Sequence, residues 1–206
     1  MHTLQVMRAG KQEGAEKVLI LLHGRGGSAG DIISLAAELP VKNFEILAPQ
    51  AANHSWYPYS FLAPIQQNEP WLSSALGVLK RLVSDTQLLG IAAQNIHFTG
   101  FSQGACLMLE FLARNGERYG GALAFTGGLI GDQLYPQHYS GDFQGTPIFI
   151  GTGDPDPHVP VRRVNETSNL LTKMHANVLE KVYPGMGHTI TADELQSASR
   201  HVFNVS

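Results

Sequence analysis

Short, almost wholly apolar runs alternate along this chain with longer stretches in which apolar residues return every three or four positions. The short runs are Val18 to Leu22, Phe44 to Ala48, Ile96 to Thr99, Gly121 to Phe125, Pro147 to Ile150 and Val178 to Tyr183. Their length and lack of polar positions predict strands covered on both faces. Between them, Trp71, Leu72, Ala75, Leu76, Leu79, Leu82 and Val83 keep helical spacing while Lys80, Arg81 and Asp85 fall on the other side, which predicts an amphipathic helix on the sheet surface. The stretch from Ala105 to Ala113 leaves almost no polar face and predicts a central, buried helix. A shorter helix is expected near Ser28 to Leu39. Another, from about Val161 to His175, directs Val164, Leu171 and Met174 inward and Arg162, Arg163 and Lys173 outward as a solvated face. The last opens at Thr191, whose side chain caps it while Glu194 reaches back. Strands alternating with helices predict an α/β fold, a mostly parallel central sheet with helices on both faces.

Composition narrows this pattern to one domain. The chain has 206 residues, 43% of them hydrophobic, enough for one substantial core, so residues 1–206 are expected to form a single domain. A net charge of -3 without any basic stripe argues against nucleic acid as a partner. The segment Met1 to Arg8 lacks the apolar run of a signal peptide, no stretch reaches the length of a membrane span, and Cys106 is the single cysteine. The expectation is a cytoplasmic protein with no membrane span.

The chemistry concentrates where predicted strands end. Gly100-Phe101-Ser102-Gln103-Gly104 sits between a strand and a helix, the pattern of a nucleophile elbow. A serine nucleophile needs a base, an acid that orients the base, and donors for an oxyanion. In chain order the acid follows the serine and the base comes last. Gly151 to Pro160 follows one strand and carries Asp154 and Asp156; Gly185-Met186-Gly187-His188 follows the last strand. His188 is the expected general base. Spacing alone does not separate Asp154 from Asp156, because both precede prolines in turn-forming sequence. The backbone N–H of Gln103 is the expected first oxyanion donor. The second is that of Arg25, within His23-Gly24-Arg25-Gly26-Gly27 after the first strand. The irregular segment from about Ala51 to Pro70 holds Trp56, Tyr57, Phe61, Leu62 and Ile65, candidates for the wall of a substrate pocket. No H-E-x-x-H and no paired cysteines occur, so no metal is expected. A thiol at Cys106, inside the apolar helix, reads as a small hydrophobe.

Together these segments resemble the phospholipase/carboxylesterase family of α/β-hydrolases, the group that includes the acyl-protein thioesterases. The resemblance runs through Leu22-His23-Gly24-Arg25-Gly26-Gly27, Pro49-Gln50, Trp56-Tyr57, Gly100-Phe101-Ser102-Gln103-Gly104, Asp156-Pro157-His158-Val159-Pro160 and Gly185-Met186-Gly187-His188. It implies a hydrolase without a large cap domain, often a homodimer, that cleaves carboxylic esters or thioesters without a cofactor. It also implies that the acid is Asp156, the residue before Pro-x-Val-Pro. Thr152 stands where relatives commonly have His, and Arg25 where the thioesterases carry an apolar residue, which points toward acidic or polar substrates. The segment after Trp56 departs from the thioesterase pattern, so the expected substrate is a small-molecule ester. The competing expectations are a noncatalytic binding protein on the same fold and a perhydrolase or lyase using the same three residues.

Overall fold

The structure, a computed structural model, describes residues 1–205. One seven-stranded sheet runs through it, built from β1 (Val6–Gly10), β2 (Lys17–Leu22), β3 (Phe44–Pro49), β4 (Ile96–Phe101), β5 (Gly121–Phe125), β6 (Pro147–Asp154) and β7 (Asn177–Pro184). Their order across the sheet is β1-β3-β2-β4-β5-β6-β7. All neighbours are parallel except β1, which runs antiparallel along β3. The helices are α1 (Ala29–Ile33), α2 (Ile65–Asn68), α3 (Trp71–Leu88), α4 (Gln103–Arg114), α5 (Val161–Lys173) and α6 (Ala192–Phe203).

The period of two along β2 sorts its side chains into two cores. Val18, Ile20 and Leu22 join Leu72 and Leu79 of α3, Leu107 of α4 and Val164 of α5 on one face. Leu19 and Leu21 join Ala29 and Ile32 of α1 and Ala198 and Val202 of α6 on the other. A strand buried on both faces has no polar position to spare, which is why the central runs read as unbroken apolar sequence. As expected, α4 is buried along nearly its whole length, Arg114 excepted, and its one carboxylate, Glu110, is held inside by Arg114 at 2.7 Å and the Ile130 N–H at 3.0 Å.

The chain departs from β2 to β3 on one side and to β4 on the other. Open α/β sheets bind ligands at such a switch, in the crevice outside the carboxyl ends of the strands. The segments leaving β2, β4, β6 and β7 all emerge at that edge.

Four expectations from the pattern change. The edge strand β1 has no apolar run, because it is mostly exposed and pairs only with β3. The helix expected over 28–39 is a five-residue α-helix followed by a 3₁₀ segment, Ser34–Glu38; the Ser34 hydroxyl donates to the Asp31 carbonyl at 2.6 Å where the geometry tightens. Strand β6 continues through Gly151-Thr152-Gly153 to Asp154, paired to β7 as far as Pro184, although those residues read as loop. A side chain at Gly153 would collide with the Met186 carbonyl, so the glycine serves close packing there. Arg163 points inward, not to solvent. It is buried and donates to the carbonyls of Leu129 at 2.9 Å and Gly131 at 2.6 Å, which lie in the segment after β5 and need donors.

Candidate active site

Ser102 joins β4 to α4 with φ 54° and ψ -119°, a backbone conformation that costs energy for any residue with a Cβ. Its neighbours make the turn sterically feasible. A Cβ at Gly104 would collide with the Leu22 carbonyl oxygen, and one at Gly100 would lie 2.7 Å from the Gly104 carbonyl. Glycine at both positions lets α4 press against the ends of β2 and β4. The Ser102 N–H donates to the Phe125 carbonyl at 2.9 Å, fixing the turn to β5.

The segments after β6 and β7 bring Asp156 and His188 to this serine. Nδ1 of His188 lies 2.9 Å from Oδ2 of Asp156, and Nε2 lies 2.8 Å from Oγ of Ser102. An ionised carboxylate only accepts, so Nδ1–H donates to Asp156 and Nε2 is left to accept from the serine hydroxyl. The other oxygen of Asp156 accepts from the N–H groups of His158 at 2.8 Å and Val159 at 2.9 Å. Burial pushes the Asp156 carboxyl up, but those two N–H groups and His188 outweigh it and hold the carboxyl below its ordinary range. Phe101 and His158 flank the His188 ring at 5.2 and 4.9 Å. Asp154 is exposed at the end of β6, where its carbonyl accepts from Gly185 N–H at 2.7 Å.

Arg25 and Gln103, in the two turns where oxyanion donors were expected, line one cleft with the serine. Gln103 opens α4, so its amide has no carbonyl within the helix to bond. Arg25 lies in a turn closed by Gly27 N–H on the Gly24 carbonyl at 3.1 Å. Their side chains have a role that the sequence reading missed: both fasten the aromatic segment. Gln103 accepts from Trp56 N–H at 2.9 Å and donates to the Tyr57 carbonyl at 2.8 Å. Arg25 donates to Ser55 Oγ at 3.0 Å and to the carbonyls of Pro58 at 2.9 Å and Tyr59 at 2.6 Å. His23 adds a third fastening. Its Nε2 accepts from Ala51 N–H at 3.1 Å while its carbonyl accepts from the Trp56 indole at 2.9 Å. The only sequence signal for this was the sum of polar residues in otherwise tight, apolar turns.

A cleft of about 740 Å³ opens over Ser102 and His188. Of the five residues expected to line a pocket, Tyr57, Phe61 and Leu62 do so. Trp56 and Ile65 do not. Both are core residues, Trp56 tilted against the His23 ring at 5.0 Å and donating its indole N–H to that residue's carbonyl. Cys106 does reach the cleft, but burial pushes its thiol up to about 12, so it stays protonated and is no nucleophile near neutral pH. Among the described residues no group of three or more His, Cys, Asp and Glu is placed to hold a metal ion, and no helix is long and apolar enough to cross a membrane.

The sequence model of the phospholipase/carboxylesterase family matches residues 4–206. The chain is 26% identical to acyl-protein thioesterase 1 of Kluyveromyces lactis, over 91% of each chain. It is 28% identical to a probable carboxylesterase of Arabidopsis thaliana, over 88% of this chain and 76% of that one. Among solved structures, a phospholipase/carboxylesterase from Dyadobacter fermentans superposes with a TM-score of 0.97 at 52% identity, covering 98% of this chain and 97% of that one. A seven-stranded, mostly parallel sheet with helices on both faces and no large cap among the described residues agrees with these matches. On this evidence the chain is a serine hydrolase of the α/β-hydrolase fold and belongs to the phospholipase/carboxylesterase family.

Proposed function

We propose that residues 1–206 form a single-domain serine carboxylesterase acting on small to medium carboxylic esters, thioesters included, through Ser102, His188 and Asp156. The observation that carries this reading is the unbroken run of hydrogen bonds from Asp156 through His188 to a serine held on a strained elbow. Ser102 Oγ attacks the ester carbonyl while Nε2 of His188 takes its proton. The Asp156 carboxylate stabilises the imidazolium that results and keeps the ring in the tautomer that presents Nε2. The tetrahedral oxyanion is held by the amides of Arg25 and Gln103, donors fixed before the reaction begins. His188 returns the proton to the departing alcohol or thiol, and a water deprotonated by the same nitrogen releases the acid from the acyl-enzyme.

The cleft volume falls in the range of small-molecule sites. Tyr57, Phe61 and Leu62 supply its apolar wall, which favours esters of modest chain length. Turnover of 4-nitrophenyl butyrate by the Ser102→Ala variant tests the reading. Loss on the order of 10⁶-fold is expected; turnover near the wild-type rate would overturn it.

A further inference from the structure

The acyl-transfer reading leaves one group in the cleft unused, the guanidinium of Arg25. Its three hydrogen-bond acceptors, Ser55 Oγ and the carbonyls of Pro58 and Tyr59, are all neutral. Among the described residues, five of the eight arginines lie within salt-bridge distance of a carboxylate; Arg25, like Arg118 and Arg200, does not, and of these three it alone lines the cleft. No Asp or Glu lines the cleft wall either. Arg25 is thus a permanent cation on the cleft wall with no paired carboxylate, its guanidinium 5.9 Å from the centre of the Tyr57 ring, while the one carboxylate of the site, Asp156, is engaged by His188.

Arg25 is an exposed residue, yet its guanidinium is tied to the protein by three hydrogen bonds. An arginine recruited to a ligand ordinarily loses much side-chain freedom, and the loss weakens binding. Here the three bonds to residues 55–59 have already fixed the side chain, so recognition carries little further entropic cost. Three of the five N–H donors are taken, leaving two for a ligand. The Arg25 amide is the proposed oxyanion donor, so its guanidinium stands within one side chain's reach of the reacting carbonyl. A purely structural clamp could be made with neutral donors. Neither the three neutral acceptors nor the Tyr57 ring cancels the charge, which stays available to an anion entering the cleft.

We propose that this enzyme selects esters that carry a carboxylate a few bonds from the scissile carbonyl, with the Arg25 guanidinium as the recognition point. The proposal rests on the carboxylesterase reading above. The carboxylate belongs either to the acyl part or to the alcohol part of the ester, and paired substrates separate the two. In the first pair, 4-nitrophenyl hydrogen adipate is compared with 4-nitrophenyl heptanoate; in the second, 4-carboxyphenyl butyrate with its 4-carbamoylphenyl twin. Spontaneous hydrolysis is subtracted throughout.

The wild-type chain is expected to favour the anionic member of at least one pair by about tenfold or more in kcat/KM, less so in about 0.5 M salt. Arg25→Gln should bring that ratio to within about threefold of unity, and Arg25→Lys should retain part of it. If Arg25→Gln loosens the aromatic segment, both members of a pair slow together and the ratio still reads the charge. The salt dependence of the wild-type ratio needs no variant at all. Equal or reversed preference in both pairs, or a preference that survives Arg25→Gln, overturns the proposal. Failure of the carboxylesterase reading looks different: no ester of either kind is cleaved and no fluorophosphonate reacts.

Discussion

Asp156 uses one carboxylate for two purposes. One oxygen closes a turn on the N–H groups of His158 and Val159, and the other faces His188. Asp-Pro turn chemistry and orientation of the base therefore coincide in one side chain, which is why spacing alone left Asp154 and Asp156 equivalent and only the resemblance distinguished them. The two are separated by mutation. Asp156→Asn keeps an oxygen for the turn but places an amide against His188 and favours the wrong tautomer, so kcat should fall by about 10⁴-fold with little change in stability. Asp154→Asn should stay within about threefold of wild type; steady-state kinetics on one chromogenic ester reads both. Phe61 lines the cleft and Trp56 does not, a difference invisible in the sequence because both are large aromatics in the same irregular segment. Phe61→Ala should shift the preferred acyl length upward in a series from acetate to decanoate, because the shortened wall frees volume. An unchanged profile would show that Phe61 does not limit the acyl site.

Among the elements, those with apolar runs were legible and those defined by pairing or by polar contacts were not. The six runs became β2 to β7, while β1 was missed because three of its five residues are exposed and none is buried. The attachment of residues 55–59 was equally hidden, since it depends on side chains from two distant turns reaching the same main chain. Gln103→Leu tests it. The change leaves the Trp56 N–H and the Tyr57 carbonyl without their partner, at about 1–3 kcal/mol for each buried group. Urea unfolding should report the loss, and KM should rise as the cleft wall loosens. Helix α6 carries a pH-dependent strain. Its capping residue Glu194 has one oxygen buried without a partner, and burial pushes the carboxyl from 4.5 up to about 7. The folded chain thus holds this proton more tightly than the unfolded chain does. Stability is highest below about pH 4.5 with respect to this group and declines as pH rises toward 7, by on the order of 3 kcal/mol in all. Glu194→Gln retains an acceptor for Thr191 and should flatten that slope; unfolding midpoints measured between pH 4.5 and 7.5 would show it. A slope that persists in Glu194→Gln assigns it to another group.

For the whole molecule, the strand order turns three distant segments into one site. Ser102 follows β4, while Asp156 and His188 follow β6 and β7, two and three places along the sheet. Parallel strands send all three to the same edge, and the switch between β2 and β4 puts the Arg25 turn beside the serine. That much follows from alternating strands and helices with glycines at their ends, so the α/β class and the relative order of the chemistry were readable before any coordinates. The shape of the cleft was not, because it depends on Arg25, Gln103 and His23 drawing the aromatic segment across the sheet edge. The central claim, that Ser102 is a nucleophile activated by His188, is tested most directly by reacting the chain with a fluorophosphonate and mapping the adduct by peptide mass spectrometry. The account predicts one adduct per chain, on Ser102, formed rapidly in the wild type and nearly lost in His188→Ala. An adduct on another residue, or undiminished labelling of Ser102 in His188→Ala, would contradict it.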